Sequence, residues 1–222
     1  METSILTADK DPMGTAIADY FNHHKADRLR VFSSQFDEDE IPVGQLFRNI
    51  KTMPMLERTA LQLATGKILD VGAGSGCHAL ALQEMDKEVC AIDISPLSVE
   101  VMKQRGVNDA RLVNLFDEQF TGQFDTILML MNGSGIIGRL ENMPAFFKKM
   151  KQLLRPGGCI LMDSSDLRYL FEDGDGTPFD GSVEDLTSGI DIPQADIAVV
   201  EAPQPEKEVK KMKKTKKTKS AA

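Results

Sequence analysis

Apolar positions change their period near residue 66. Before that point they recur at helical spacing. Ile17, Tyr20, Phe21, Leu29 and Phe32 predict a helix from Thr15 to about Ser34. Residues 36–42 (FDEDEIP) read as an acidic loop closed by Pro42. Two more helices are predicted, over Val43–Met53 and Pro54–Ala64. The second has proline in its first turn and an apolar stripe of Met55, Leu56, Leu61, Leu63 and Ala64. Residues 1–11 are polar, as in a mobile terminus.

From Lys67 the pattern alternates. Apolar runs rich in Ile, Leu, Val and Met predict strands at 67–71, 88–93, 110–114, 124–131 and 159–163. Between and after them lie helical stretches at 76–85, 96–105 and 141–154, with a short one at 166–172. Strands that are apolar on both faces need helices on both sides of the sheet. The alternation predicts an α/β fold with a doubly wound, mostly parallel Rossmann-like sheet, and a ligand at the carboxyl ends of its strands. Past Glu172 the periodicity fades, apart from a short apolar run at 197–200. The organisation expected is an N-terminal helical extension or lid (1–53), a core (54–172), an irregular acidic segment (173–206) and a disordered lysine-rich tail (207–222).

Composition narrows the class. Hydrophobic residues make up 41% of the 222, enough for a globular core. No apolar run reaches the about 18 residues of a membrane span. The first residues carry acids and no apolar secretory core, and Cys77, Cys90 and Cys159 are widely spaced. Together these predict a reducing, cytoplasmic setting without disulfides or a zinc cluster. The adjacent His23 and His24 read as surface or cap residues, since helix neighbours do not face one site. Charge is uneven: residues 1–206 hold 18 Lys/Arg against 33 Asp/Glu, whereas 207–222 hold 8 Lys and 1 Glu. The body is a poor polyanion binder, and only the tail is suited to nucleic acid.

The chemistry concentrates at LDVGAGSG (69–76). Asp70 precedes Gly72, Gly74 and Gly76, and a helical stretch follows. Strand, glycine turn and helix N-terminus form a cradle for a nucleotide-like ligand. Asp93 ends the next strand, where a carboxylate can accept both hydroxyls of a ribose. Asn114 and Leu115 end the third strand, placed to read an adenine edge by side-chain amide and backbone N–H. Met131–Gly135 (MNGSG) forms a flexible polar loop after the fourth strand, and LLRPGG (153–158) turns into the fifth.

LDVGAGSG, AIDISP, NLFDEQFTGQFDTILM and LLRPGGCILMD together resemble the ordered motifs of class I S-adenosylmethionine-dependent methyltransferases. The resemblance covers about residues 54–167, half of the chain, and IPVGQLFRNIKTMPMLERTAL is similar to a group of uncharacterised bacterial methyltransferases. It implies S-adenosylmethionine (SAM) as cofactor, leaving S-adenosylhomocysteine (SAH) as product. Asp70 and the backbone of Gly72, Ala73 and Gly74 would hold the methionine moiety. Asp93 would hold the ribose, Ile94 would pack on the adenine, and Asn114 and Leu115 would contact its edge. Asn114 stands where the family often has Asp. A nicotinamide dehydrogenase fits less well, because the spacing is GxGxG rather than GxGxxG.

A sulfonium is an activated methyl donor, so the protein chiefly aligns the acceptor and excludes water. Asn132 is the candidate catalytic residue, to orient an acceptor, unless it only supports the turn before Gly133. The loop is not of the NPPY or DPPY type that grips planar amino groups. Asp163 and Asp166 could face a substrate, or Asp166 could cap a helix starting at Leu167. His78 could be catalytic or packed beside the loop, and Arg48 and Met53 could line a lid or belong to helix surface and core. The family's C-terminal antiparallel hairpin is only weakly represented, by 197–200, so the sheet could be incomplete. The expected function is methyl transfer to a small-molecule substrate. The alternatives are an RNA methyltransferase tethered by the basic tail and a non-catalytic cofactor-binding module.

Overall fold

A computed structural model describes residues 4–32 and 38–164 in full and residues 196–201 by their backbone. Helix α1 (Pro12–His23) starts at Asp11, whose side chain accepts from the Gly14 N–H, and stops at His24 in the left-handed region (φ 53°). Strand β1 (Arg28–Phe32) follows and pairs antiparallel with β2 (Asp39–Ile41). The helix expected over Thr15–Ser34 therefore covers two elements. RLRVF alternates polar with apolar residues and buries Leu29, which is a strand pattern. Val43–Phe47 forms a 3-10 turn rather than a helix reaching Met53, and α2 (Met55–Leu63) begins after Pro54.

Strands β3 (Lys67–Val71), β4 (Glu88–Asp93), β5 (Ala110–Leu112), β6 (Phe124–Met129) and β7 (Leu154–Met162) form one parallel sheet in the order β5-β4-β3-β6-β7. Helices α3 (Cys77–Glu84), α4 (Pro96–Gln104) and α5 (Met143–Leu153) connect them. The order reverses between β3 and β6, and such a switch point opens a crevice at the carboxyl ends of the strands. Successive strand residues face opposite layers. Ile68, Ala91 and Leu128 pack with Leu61, Leu82 and Met102 from α2–α4. Leu69, Ile92 and Ile127 pack with Phe146, Met150 and Leu153 of α5. Asp70 shares the face of Ile68, so a carboxylate occupies a core position at the carboxyl end of the central strand.

The apolar run at 197–200 falls within β8 (Asp196–Glu201), which pairs antiparallel with β1 and not with the main sheet. Among the described residues, no antiparallel hairpin joins β7. The expected helix at 166–172, Asp166 and the lysine-rich tail lie outside the described residues. Among those described, no helix is long and apolar enough to cross a membrane, and no His/Cys/Asp/Glu group is arranged to hold a metal ion.

Candidate active site

The turn after β3 places three glycines in the left-handed region: Gly72 (φ 68°), Gly74 (φ 55°) and Gly76 (φ 81°). At Gly76 no other residue fits, because a Cβ would lie 2.9 Å from both Met102 and Val107. This curl turns its own amides inward. Gly72 and Ala73 donate to the Ile92 carbonyl (2.9 and 3.1 Å), and Gly74 donates to Asp93 Oδ2 (2.8 Å). A phosphate cradle needs those N–H groups pointing outward. The Gly72, Ala73 and Gly74 N–H groups are therefore engaged within the protein.

Carboxylates supply the charge. Asp70 is 1% exposed, and its Oδ2 has no hydrogen-bond partner. Burial pushes its pKa up to about 6; nearby His78 and the Ala79 N–H oppose the rise, and Asp93 adds to it. A buried acceptor without a donor is costly, and a positively charged donor would satisfy it. Asp93 ends β4 with each oxygen accepting one N–H, from Gly74 and from Ser95 (both 2.8 Å). Each oxygen keeps a lone pair for a ligand hydroxyl. Burial holds the Asp93 carboxyl above its ordinary range, against the Ser95 and Gly74 bonds, with Asp11 adding to the rise.

Residues 4–11, within the segment expected to be mobile, lie along this rim. Leu6 donates to the Ile94 carbonyl (3.0 Å), and Asn114 Nδ2 donates to the Ser4 carbonyl (3.2 Å). Asn114 Oδ1 accepts from the Phe116 N–H (3.0 Å), so both ends of the amide are engaged. Ile94 is half-buried beside it, and Leu115 is buried in the core layer of α5. Asp11, fully buried, accepts from Ser95 Oγ (2.6 Å) next to Asp93. Sequence reading missed Asp11, although an Asp-Pro pair ahead of an apolar-periodic stretch is a helix-start signal.

Two contacts fasten the remaining N-terminal elements. Arg105, at the end of α4, donates to Ser75 O (2.6 Å) and Ser75 Oγ (2.7 Å), and its guanidinium lies 4.8 Å from the Phe47 ring centroid. Ser75 Oγ in turn donates to the Leu46 carbonyl. On α2, Glu57 accepts from Arg48 Nε (2.9 Å) and Nη2 and lies 2.9 Å from His78 Nε2. Burial works to raise the Glu57 carboxyl, but the bonds from His78 and Arg48 outweigh it and hold it low. His78 thus packs beside the glycine loop in an ion-pair network, the second of its two readings. Met53 is core.

Across the crevice, Met131 and Asn132 are both left-handed (φ 62° and 60°). They lead into a 3-10 turn, Gly133–Ile137. Asn132 is exposed at the start of that turn. Ile136 leans on the glycine loop, its Cδ1 3.0 Å from where a Gly72 Cβ would stand. From the other side Ile17 of α1 reaches Gly74. Two surface cavities, of about 220 and 420 Å³, lie elsewhere, by β1 and β2 and by α5 and β7.

The family described as "Methyltransferase domain" matches residues 69–160, from the glycine loop through most of β7. A crystal structure of a SAM-dependent methyltransferase from Bacteroides fragilis, in complex with SAH, is 81% identical; the alignment covers 80% of this chain and 74% of that one, with a TM-score of 0.75. The chain belongs to the SAM-dependent methyltransferases. Among curated methyltransferases, a ubiquinone biosynthesis O-methyltransferase of Xanthomonas euvesicatoria is 30% identical over 116 residues, covering 48% of this chain and 46% of that protein. A cypemycin N-terminal methyltransferase from Streptomyces is 28% identical over 102 residues, covering 45% of this chain and 42% of that protein. The methyltransferase chain thus spans less than half the length of these curated relatives. Both matches are to methyltransferases, but one relative is named for O-methylation in ubiquinone biosynthesis and the other for methylation of an N-terminus.

Proposed function

We propose that this protein uses SAM to methylate a small-molecule acceptor. The observation that carries the reading is the unpartnered, buried Asp70 Oδ2 beside a glycine loop whose own donors are spent. That combination suits an ammonium group and not a phosphate. Asp70 and the loop carbonyls hold the methionine end, Asp93 receives the ribose hydroxyls, and Ile94, Asn114 and Leu115 flank the adenine. SAM supplies an activated methyl group on a sulfonium. Asn132 orients the acceptor, and Ile17 and Ile136 exclude water on either side of the loop. Residues 4–11 and α1 act as the lid over the adenosine end, supported by their bonds to Ile94, Asn114 and Ser95. The net negative body and the naming of a ubiquinone-pathway relative favour a small-molecule acceptor over RNA.

Titration of the purified chain with SAH in a calorimeter tests the reading. The parent protein is expected to bind. Asp93→Ala is expected to weaken binding by about 30-fold or more, the cost of two hydrogen bonds to a charged group. A parent protein that takes up no SAH overturns the proposal.

A further inference from the structure

Asp163 follows β7 and was read from sequence as a residue that could face a substrate. Its carboxylate is instead turned onto the loop after β6. Oδ2 accepts from the Met131 N–H (3.0 Å), and Oδ1 accepts from the Gly133 N–H (3.2 Å). The backbone repeats the attachment: Asp163 N donates to Met129 O (3.2 Å), and Ser134 N donates to Asp163 O (3.3 Å). One residue therefore ties the end of β6 and three positions of the loop to the end of the neighbouring strand.

The loop needs such a tie. Met131 and Asn132 are consecutive non-glycine residues in the left-handed region, which side chains with a Cβ disfavour. Their conformation sends the Met131 and Gly133 amides to the same side, where one carboxylate meets both. Gly133 has no room to shift outward with a side chain, since a Cβ there would lie 2.7 Å from the Met129 Cβ. The fold thus offsets an unfavourable backbone with two charge-assisted bonds. The 3-10 turn that follows carries Ile136 against Gly72, so the loop's position is felt at the cofactor loop.

We infer that Asp163 is a positioning residue that clamps the left-handed Met131–Asn132 pair and thereby sets where Asn132 and Ile136 stand against the cofactor. This inference rests on the SAM reading of the glycine loop. It assigns Asp163 no contact with substrate: its carboxylate acts through the two amides it receives.

SAH titration of the full chain, with melting temperature as the check on folding, tests it. Asp163→Ala is expected to raise the SAH dissociation constant about fivefold. Asp163→Asn keeps one acceptor oxygen for two N–H groups and is expected to fall between, at about twofold. Adding Met131→Gly to Asp163→Ala removes the conformational cost at one of the two left-handed residues and is expected to recover part of the lost affinity, to within about threefold of the parent. General loosening at the end of β7 would not be rescued by a glycine in another strand's loop. Unchanged affinity in Asp163→Ala, or a loss that Met131→Gly leaves in place, overturns the assignment. If Asp163→Ala does not fold, amide exchange in the parent decides: Met131 and Gly133 are expected to be protected about tenfold or more over open-chain rates, and unprotected amides overturn the clamp. A parent that fails to bind SAH defeats the proposed SAM site itself. A parent that binds, with Asp163→Ala binding equally well, defeats only the clamp.

Discussion

At the scale of single residues, the proposed site rests on carboxylates kept in costly places. Asp70 is the extreme case, with a pKa raised to about 6 from 3.8. The folded chain therefore holds this proton more tightly than the unfolded chain does. The ligand-free fold is expected to lose stability as pH rises from about 4 to about 6, by on the order of 3 kcal/mol, which urea unfolding at several pH values will read. SAH affinity moves the other way. An ammonium needs the ionised carboxylate, so calorimetry is expected to show affinity falling below about pH 6, by up to about tenfold per unit. Asp70→Asn separates the two effects: it is expected to stabilise the ligand-free protein at pH 7 and to weaken SAH. Asp70 and Asp93 were legible in the sequence because each lies at the carboxyl end of an apolar strand, beside a motif. The engaged amides of Gly72–Gly74 were not, because their partners Ile92 and Asp93 lie on another strand, about twenty residues further on.

At the scale of elements, helix ends and turns decide the fold's local stability. Helix α2 ends in carbonyls that accept from Lys87, in the turn before β4: Nζ donates to Leu61 O (2.7 Å), Ala64 O (2.6 Å) and Gln62 O (3.2 Å). Lys87→Met keeps the aliphatic stem and is expected to cost about 1–2 kcal/mol in urea unfolding. Gly76→Ala forces a side chain into a left-handed position against Met102 and Val107 and is expected to cost about 2 kcal/mol or more, with SAH affinity lost in parallel. The strands and helices from Lys67 to Met162 were readable to within a few residues, apart from β7, which begins five residues earlier than expected. There the apolar runs are long and the glycines punctuate them. The N-terminal region was harder. Leu29 and Phe32 happen to continue the spacing of Ile17 and Phe21, and only the left-handed His24 separates helix from strand.

At the scale of the whole molecule, hydrogen bonds tie the N-terminal elements to the sheet and its loops. Asp11 with Ser95, Leu6 with Ile94, Ser4 with Asn114, Leu46 with Ser75, and Phe47 with Arg105 all cross between them. Deleting residues 1–10 removes the first strap but leaves the glycine loop intact. The shortened protein is expected to fold, to melt a few degrees lower, and to bind SAH about tenfold more weakly, as melting curves and calorimetry will show. Equal affinity would exclude the N-terminus from the lid.

The sequence alone determined the parallel α/β core, the glycine loop and the two carboxylates at the carboxyl ends of β3 and β4. Each is written in local pattern: apolar runs, glycine spacing, an acid at a strand end. Only the tertiary structure decided which groups are already bonded. It spent the loop amides on Ile92 and Asp93, left Asp70 Oδ2 without a partner, turned Asp163 onto Met131 and Gly133, and laid residues 4–11 along the rim. Those outcomes depend on which distant segments meet. Hydrogen-bond satisfaction is a property of such meetings, and no local pattern encodes it.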